Sequence, residues 1–350
     1  FYGLRDNKTC DSVPIESFIW KDYYQVQVAV VEKDGVDVGI IWQMCDEGKY
    51  YSAMPICATE HLKYCFELSV EYFNKILKVP YRISLADEEA VKELKLESDA
   101  RFKVREQEDL KDYLYDGDAM RSLAGKKLHK KKNHYNKFIK EYEGRYTYRE
   151  LVCSDRDEVF RMLAKWRDDK GDDVEEHLDP EVMGVHEILK NCRALDITMG
   201  GVYVDDVLEA FTVGSYNKRE DMAVIHIEKA NANINGIYQF INKTFLCEAF
   251  PTAKLINRED DLGIEGESGK VRRGTYRLVK QKIYLDNGMK LAKYKDDFGD
   301  PSREFYSLTQ NGKEIDMLLY ADDQFFIKRE GVSPKKFWRS LKIEVCNDYR

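Results

Sequence analysis

The fold is decided by the stretch Met222–Phe250, which reads MAVIHIEKANANINGIYQFINKTFLCEAF. Its first part, Met222–Ala230, predicts a β-strand, because β-branched residues alternate with polar ones near a period of two. Its last part, Gly236–Phe250, predicts an amphipathic helix. The small polar residues of Asn231–Gly236 predict a tight turn between them. A strand that leads through a short turn into a helix is typical of an α/β protein.

Further strands flank this unit in the second half of the chain. Leu195–Val204 and Val207–Tyr216 predict two strands joined by a short turn, and Leu255–Asn257 predicts a short strand after the helix. Two helices precede them, one starting at Ser154 and one at Pro180. The second half therefore has the order strand, strand, strand, helix, strand.

The first half of the chain repeats this order. The predicted elements are strands at Tyr24–Glu32, Val36–Gln43 and Tyr50–Cys57, a helix at Glu60–Leu77, a strand at Tyr81–Leu85, a helix at Asp87–Leu96 and a strand at Arg101–Arg105. Two halves built on one plan predict a duplicated α/β (α+β) fold, in which each lobe is a mixed sheet flanked by helices. The order resembles the core of the GNAT-type acyltransferases and so predicts tandem GNAT-like lobes.

A run of positive charge joins the two halves. No carboxylate occurs between Ala119 and Lys140, although the chain has a net charge of −8. From Lys126 onwards the basic residues of this run are Lys126, Lys127, His129, Lys130, Lys131, Lys132, His134, Lys137 and Lys140. Apolar residues near the helical period, with Gly144 at the cap position, predict a helix. Its lysines form either a solvated face or an anion-binding one, and their single sign favours a phosphate-bearing partner.

Two polar residues are candidates for catalysis. His226 and Glu228 are two residues apart on the predicted strand, so they should share a face while Ile225 and Ile227 point away. The pair is either a buried hydrogen-bonded pair or a catalytic one. The Asn231–Gly236 turn that follows offers backbone amides and a helix dipole to an anion.

A second polar segment, Asn257–Glu265, reads NREDDLGIE and follows the short strand. Polar residues at the carboxyl end of a strand are typical of a site in an α/β fold, and this segment should converge with the Asn231–Gly236 turn at one edge of the sheet. A plain acidic loop with an internal ion pair is the alternative.

The totals limit the class of protein. The chain has 350 residues, 43% of them hydrophobic, which is enough for a large core and two lobes. It shows no apolar run that could span a bilayer, so a soluble, cytoplasmic protein is expected. The eight cysteines are scattered without a Cys-x-x-Cys pair, which favours a reducing cytoplasm. Cys57, His61 and Cys65 have metal-like spacing, but Cys57 should precede the helix, so no metal site is predicted.

Four phrases carry a family resemblance. They are DYLYD (Asp112–Asp116), LAGKKLHKKKNHYNKF (Leu123–Phe138), EKANANINGIYQFIN (Glu228–Asn242) and INREDDLGIEG (Ile256–Gly266). In this order they resemble the signatures of the phosphatidylglycerol lysyltransferase C-terminal-domain family, and the resemblance spans roughly Phe18–Lys282. The family implies a tandem pair of GNAT-like lobes, related to the Fem-type enzymes that add amino acids to peptidoglycan precursors.

The resemblance also implies a function: transfer of an aminoacyl group from aminoacyl-tRNA to an amine or hydroxyl acceptor. It implies aminoacyl-tRNA as co-substrate, tRNA as partner, and no covalently bound cofactor. Candidate catalytic residues are Glu228, His226, Arg258 and Glu259. Candidate donor-binding residues are Lys126, Lys127, Lys130, Lys131, Lys132, Asn133, Lys229, Asn231, Asn233, Gly236, Tyr238, Asn242, Asn257, Asp261, Arg272 and Arg273.

The chain departs from the family pattern in two places. The lipid-modifying enzymes carry membrane spans ahead of this domain and none is present here, so the acceptor stays open among a small molecule, a peptide and a lipid headgroup. After Gly266 the family continues with a Leu-Arg-Lys-like run, whereas this chain has Glu267–Lys270, followed by Arg272 and Arg273. Two alternatives remain: an acyl-CoA-dependent N-acyltransferase of the GNAT type, and a non-catalytic nucleic-acid-binding protein on the same fold.

The predicted organisation is a GNAT-like lobe at residues 1–118, a basic linking helix at 119–150 and a second lobe with the active site at 151–283. Residues 284–350 form an extension without a functional prediction. Within it, Glu314–Tyr320 and Gln324–Arg329 predict a β-hairpin, and Ser333 with Pro334 predicts the start of a helix.

Overall fold

The computed structural model describes residues 1–46, 48–106, 111–169 and 178–260, and the strands beyond residue 260 that are named below. Two compact units are present, one made of Phe1–Asp260 with Phe337–Arg350 and the other of Asp261–Lys336. The lobe boundaries at residues 118, 150 and 283 stay predictions.

The first part of the larger unit has the predicted order of strands and helices. Its elements are α1 (Pro14–Ile19), β1 (Gln27–Lys33), β2 (Val36–Asp46), β3 (Lys49–Tyr51), β4 (Ile56–Cys57), α2 (Thr59–Glu71), β5 (Arg82–Asp87), α3 (Glu88–Glu93) and β6 (Phe102–Glu106). Strands β1, β2 and β3 are antiparallel neighbours, and β4 pairs with β2. The predicted third strand is thus two short strands. Phe66, Phe73 and Tyr81 pack edge to face in the core beneath α2.

The second part of this unit contains the main sheet. Its elements are β7 (Asp112–Asp116), α4 (Gly117–Ser122), α5 (His129–Glu141), β8 (Tyr146–Leu151), α6 (Arg156–Asp168), α7 (Leu178–Asn191), β9 (Thr198–Val204), β10 (Val207–Asn217), β11 (Met222–Ala230), α8 (Ile237–Ala249) and β12 (Leu255–Asp260). The strand order is β7-β12-β11-β10-β9-β8. All neighbours are antiparallel except β11 and β12, which are parallel because α8 returns the chain between them.

Helices cover both faces of this sheet. Phe245, Leu246 and Phe250, from the α8 segment, pack against one face. Leu163 of α6 and Val185 of α7 belong to the cluster on the other face, together with residues of α1. The larger unit therefore has the predicted mixed α/β fold, in which a sheet is flanked by helices.

The predicted basic helix is divided into separate pieces. Helix α4 ends at Leu123, which has a positive φ of 49°, and a 3-10 turn at Lys126–Leu128 precedes α5. Gly125, with φ +90°, is the N-cap of the 3-10 turn. Gly144 follows α5 and has a left-handed φ of +73°, as the sequence predicted for a glycine after this helix. Strand β7 was not predicted as a strand at all.

The smaller unit contains strands. They are β13 (Glu265–Gly266), β14 (Lys270–Val271), β15 (Tyr276–Lys280), β16 (Met289–Tyr294), β17 (Arg303–Gln310), β18 (Lys313–Ala321) and β19 (Gln324–Lys328). The hairpin of β18 and β19, in which Ala321 pairs with Gln324, confirms the predicted hairpin. The helix predicted at Ser333 lies outside the described residues. Strand β20 (Lys342–Asn347) belongs to the larger unit and lies between β5 and β6.

Two of the cysteines are paired. A disulfide bond joins Cys153 and Cys192, which the scattered spacing of the cysteines did not predict. Cys57 lies in β4, before α2 begins at Thr59, as predicted. Within the described part of the chain, no helix has the length and apolar character needed to cross a membrane.

Candidate functional site

Strands β11 and β12 pair over a short distance and then separate. Met222–Val224 pairs with Leu255–Asn257, and the ladder ends there. Both strands nevertheless continue, β11 to Ala230 and β12 to Asp260. Side chains, and not backbone hydrogen bonds, therefore connect the later halves of the two strands.

A bulge in β11 lies directly after the last pair. On the neighbouring β10, Val213 pairs with Ile227 and Gly214 pairs with Ile225, so His226 is the extra residue of a β-bulge. Ile225 consequently packs in the cluster with α8, whereas Ile227 packs in the cluster with α6 and α7. The prediction that His226 and Glu228 share a face was wrong, because the bulge shifts the alternation by one residue.

A second bulge lies in β12. Asn257 pairs with Leu114 and Asp260 pairs with Asp112, so Arg258 and Glu259 together oppose one residue of β7. Glu259 has a φ of +54°, and its N–H donates to Asn257 Oδ1 at 2.7 Å. The predicted loop after Asn257 is therefore part of a bulged strand as far as Asp260. Asp261 lies outside the described residues.

On the α8 side of the sheet, Glu228 is held by two donors. Arg258 Nη2 donates to Glu228 Oε1 at 2.9 Å, and Asn242 Nδ2 of α8 donates to Glu228 Oε2 at 2.8 Å. The Glu228 side chain is 9% exposed and that of Arg258 is 26% exposed. One carboxylate is thus oriented through both oxygens, while each oxygen keeps a second lone pair for a ligand. Three predicted site residues meet in this cluster.

On the opposite side, His226 is at the centre of a buried network. Its Nδ1 lies 2.6 Å from Glu259 Oε1, and its Nε2 lies 2.8 Å from Ser215 Oγ. Burial lowers the pKa of the imidazole from 6.5 to about 4, although the nearby Glu16 carboxylate opposes this shift. The ring is therefore neutral at pH 7. Because a carboxylate can only accept, the proton lies on Nδ1, and Ser215 donates to Nε2.

Three groups of this network are of the types that bind a metal. An oxygen of Glu16, a ring nitrogen of His226 and an oxygen of Glu259 lie within 4.8 Å of one another. Carboxylates and imidazole are common zinc ligands. However, both ring nitrogens of His226 already have protein partners, so the arrangement is explained without an ion.

The Asn231–Gly236 turn contacts the lysine-rich helix. A Cβ on Gly236 would lie 2.2 Å from the His134 carbonyl oxygen, and His134 Nδ1 lies 3.3 Å from Asn235 Oδ1. The amides of Asn231 and Asn233 already donate to Glu209 and to the Asn231 side chain. The turn therefore has fewer amides for a ligand than the sequence suggested, but it places α5 against the carboxyl end of β11.

Helix α5 presents lysines to solvent. Phe138 is buried, and Tyr135 stacks on Phe240 of α8 with the ring centres 5.7 Å apart. The exposed lysines of this segment are Lys126, Lys130, Lys132, Lys137 and Lys140, and among the described residues they form no ion pair. Lys131 is half-buried, with its amine 5.4 Å from the centre of the Tyr115 ring. We call these five exposed lysines the lysine face.

The other predicted donor-binding residues are dispersed. Lys229 pairs with Glu181 at 2.7 Å and lies over the Trp166 ring, and Tyr238 accepts from the Trp166 indole at 3.4 Å. Asn231 bonds Glu209, and Asn133 lies 3.4 Å from His129. The side chain of Lys127, and all of Arg272 and Arg273, lie outside the described residues.

Asn257 has a structural role. It is fully buried, and its Nδ2 donates both to the Lys8 carbonyl at 2.9 Å and to Asp112 Oδ2 at 2.8 Å. Asp112 also accepts from the Cys10 amide at 2.6 Å. Asn257 therefore fastens the N-terminal segment to the sheet, as well as supporting the β12 bulge.

Sequence reasoning missed Ser215 and Glu16. Ser215 belongs to an apolar strand and Glu16 to a short helix more than 200 residues from His226. No local pattern links either residue to the histidine. The one available signal was a serine within the predicted strand Val207–Tyr216.

Comparison with known proteins identifies a family whose match covers most of the chain. The family described as phosphatidylglycerol lysyltransferase, C-terminal, matches residues 16–299, which confirms the resemblance predicted from the four phrases. An uncharacterized protein of Mycoplasmoides gallisepticum is 26% identical over 151 residues. That match covers 43% of this chain and 48% of the relative, so the chain spans about half the length of that relative.

Two solved structures are similar in fold. A conserved protein of unknown function from Bacteroides thetaiotaomicron is 27% identical, with a TM-score of 0.67, and the match covers 74% of this chain and 85% of that one. The C-terminal domain of a protein assigned as a lysylphosphatidylglycerol synthetase, from Agrobacterium fabrum, is 13% identical with a TM-score of 0.53. That match covers 71% of this chain and 73% of the other, and it supports the fold alone.

Proposed function

This chain belongs to the phosphatidylglycerol lysyltransferase C-terminal family, and on that premise we propose that it is an aminoacyltransferase that uses aminoacyl-tRNA as donor. One observation supports the proposal most strongly. The lysine face lies on α5 and the 3-10 turn before it, and α5 contacts the turn after β11, the strand that carries Glu228. A surface suited to tRNA phosphates is thus packed, through α5, on the turn that follows the strand of an oriented carboxylate.

In the proposed reaction, the acceptor's amine or hydroxyl attacks the carbonyl carbon of the aminoacyl ester. The acceptor loses a proton to Glu228, and the bond between the acyl carbon and the terminal ribose oxygen breaks. Glu228 then returns the proton to that oxygen, which leaves as a hydroxyl. Arg258 and Asn242 hold the carboxylate in one orientation, so its remaining lone pairs can face the nucleophile. Arg258 also supplies positive charge near the developing oxyanion.

The lysine face accounts for donor recognition. Lysines contact phosphates as point charges, and the counterions they release make binding depend on salt. The five exposed lysines are not neutralised by carboxylates of the described chain, so their field is available to a polyanion. The acceptor stays open among an amine, a peptide and a lipid headgroup. A charged tRNA as donor means that we expect the reaction to take place in the cytoplasm.

Binding measurements at several salt concentrations test the choice of donor. We expect aminoacyl-tRNA to bind with a clear salt dependence, and the variant K130E/K132E to weaken binding at least tenfold and to reduce the salt slope by about 2. The variant K95E/K218E, at two exposed positions elsewhere in the larger unit, makes the same change in net charge and should bind as the wild type does.

Two outcomes contradict the proposed donor. Equal binding of tRNA by both variants would remove the role of the lysine face. Binding of acyl-CoA without binding of tRNA would assign the chain to acyl-CoA-dependent transfer. If tRNA binds to the lysine face but no acceptor receives an aminoacyl group, the chain is a nucleic-acid-binding protein on a transferase fold.

A further inference from the structure

The network around His226 lies on the side of the sheet opposite Glu228, so it does not contact the proposed reacting carboxylate. It includes Ser215 from β10, Glu259 from β12 and, within 4.8 Å, Glu16 from α1. The His226 side chain is fully buried, and Ser215 is 5% exposed. A group this enclosed is poorly placed to exchange protons with a bound acceptor, which indicates a different role.

The position of Glu259 suggests that role. Glu259 follows Arg258 directly, and both lie beyond the last backbone pair between β11 and β12. No ladder hydrogen bond to β11 therefore fixes where this end of β12 lies. The backbone at this end of β12 still pairs with β7 at Asp260, and its contacts with β11 include the bond of Glu259 to His226 on one side and the bond of Arg258 to Glu228 on the other.

Resting on the proposed function, we infer that His226 is a positioning residue: through Glu259 it holds the bulged end of β12 so that Arg258 meets Glu228. Each part of the network restricts a different degree of freedom. Ser215 fixes the ring through Nε2, the ring fixes the Glu259 carboxylate through Nδ1–H, and Asn257 fixes the Glu259 backbone. Arg258 is one peptide bond away from this anchored residue.

The inference gives opposite expectations for two Glu→Gln substitutions. In Glu259→Gln the amide oxygen can still accept from Nδ1–H, so the anchor persists. In Glu228→Gln the proton acceptor is lost, so transfer should fall at least 100-fold. Glu259→Leu removes the anchor without adding charge. Ser215→Ala loosens the ring and is the milder probe of the same network.

The experiment measures steady-state transfer for Glu259→Gln, Glu259→Leu and Ser215→Ala. We expect Glu259→Gln to remain within threefold of the wild type. Glu259→Leu should lose at least tenfold in kcat. Its KM for aminoacyl-tRNA should stay within twofold, because the lysine face is unchanged. Ser215→Ala should show a smaller loss in kcat. The inference is overturned if Glu259→Gln loses as much as Glu259→Leu, if Glu259→Leu is fully active, or if only KM changes.

Hydrogen–deuterium exchange provides a readout that does not require activity. The peptide that covers residues 255–260 should exchange at least tenfold faster in Glu259→Leu than in the wild type, and at the wild-type rate in Glu259→Gln. Unchanged exchange in Glu259→Leu overturns the inference. Faster exchange of the same peptide when the wild type is treated with EDTA also overturns the inference, because it would show that a bound cation holds Glu16, His226 and Glu259 together. If the wild type transfers nothing, the proposed function fails, and the exchange result still decides the positioning role.

Discussion

Arg258 donates a hydrogen bond to Glu228 at 2.9 Å across two strands whose backbone pairing has already ended. Glu228 is also held by Asn242 of the crossing helix α8. The carboxylate is thus oriented by one residue from the next strand and one from the helix that connects the two strands. This relationship explains why Arg258, from the polar segment after Asn257, and Glu228 of β11 belong to one site.

The ion pair of Arg258 and Glu228 should be strongly coupled. Its partners are largely buried, whereas the Arg101–Glu67 pair of the first half is 51% and 40% exposed and is the matched control. A double-mutant cycle with Arg→Gln and Glu→Gln changes should give a coupling energy of about 2 kcal/mol for the site pair. For the control pair it should be under about 1 kcal/mol. Equal coupling in urea unfolding would contradict the burial of the site.

Stability should depend on pH through His226. The unfolded chain protonates this histidine near pH 6.5, whereas burial lowers its pKa in the folded protein to about 4. Between these values the unfolded state binds more protons, so the stabilisation is complete above pH 6.5 and is lost as the pH falls towards 4. The loss should approach about 3 kcal/mol. Urea unfolding of the wild type and of His226→Gln from pH 4 to 7 measures this loss. If the free energy of unfolding changes with pH in the same way for both proteins, His226 is not the group responsible.

Gly236 should tolerate no side chain. Its φ is +84°, and a Cβ would lie 2.2 Å from the carbonyl oxygen of His134. Gly144 has a similar φ of +73° but open space around it, so it is the matched control. Gly144→Ala should cost about 1–2 kcal/mol for the left-handed backbone alone. Gly236→Ala should lower the free energy of unfolding by clearly more, because the new Cβ would push α5 away from the start of α8. Equal losses in thermal unfolding would show that α5 is not packed on the turn.

The disulfide between Cys153 and Cys192 should stabilise the second part of the larger unit. It closes a loop with a sequence separation of 39 residues, for which chain entropy alone gives up to about 4 kcal/mol. Dithiothreitol should therefore lower the urea midpoint of the wild type. The double variant Cys153→Ser/Cys192→Ser should start from the lower midpoint and not respond to the reductant. If dithiothreitol leaves the urea midpoint of the wild type unchanged, the disulfide contributes nothing to stability.

Local patterns were sufficient for the elements of the main sheet. The alternation in Met222–Ala230, the helical period in Gly236–Phe250 and the turn between them predict β11 and α8 to within a residue. These elements depend on contacts between near neighbours. The fold class could therefore be predicted, and the family match over residues 16–299 agrees with it.

Features that depend on distant partners could not be predicted. The bulge at His226 is defined by its pairing with β10, so strict alternation placed Glu228 on the wrong side of the sheet. Strand β7 has a polar residue at each end and pairs with residues about 140 positions later. The Cys153–Cys192 bond has no motif spacing. The meeting of Glu228, Arg258 and Asn242 was predicted in part, since all three were candidates, but their direct contacts come from the fold.

The most direct test of the central claim is a transfer assay. The protein is mixed with tRNA carrying radiolabelled amino acids and with either phosphatidylglycerol vesicles or a mixture of dipeptides, and the label on each acceptor is counted. We expect the wild type to move label to one acceptor class. We also expect Glu228→Gln to lose at least 100-fold in the rate of transfer, while the exposed control Glu67→Gln is fully active. Transfer by Glu228→Gln at the wild-type rate would contradict the account.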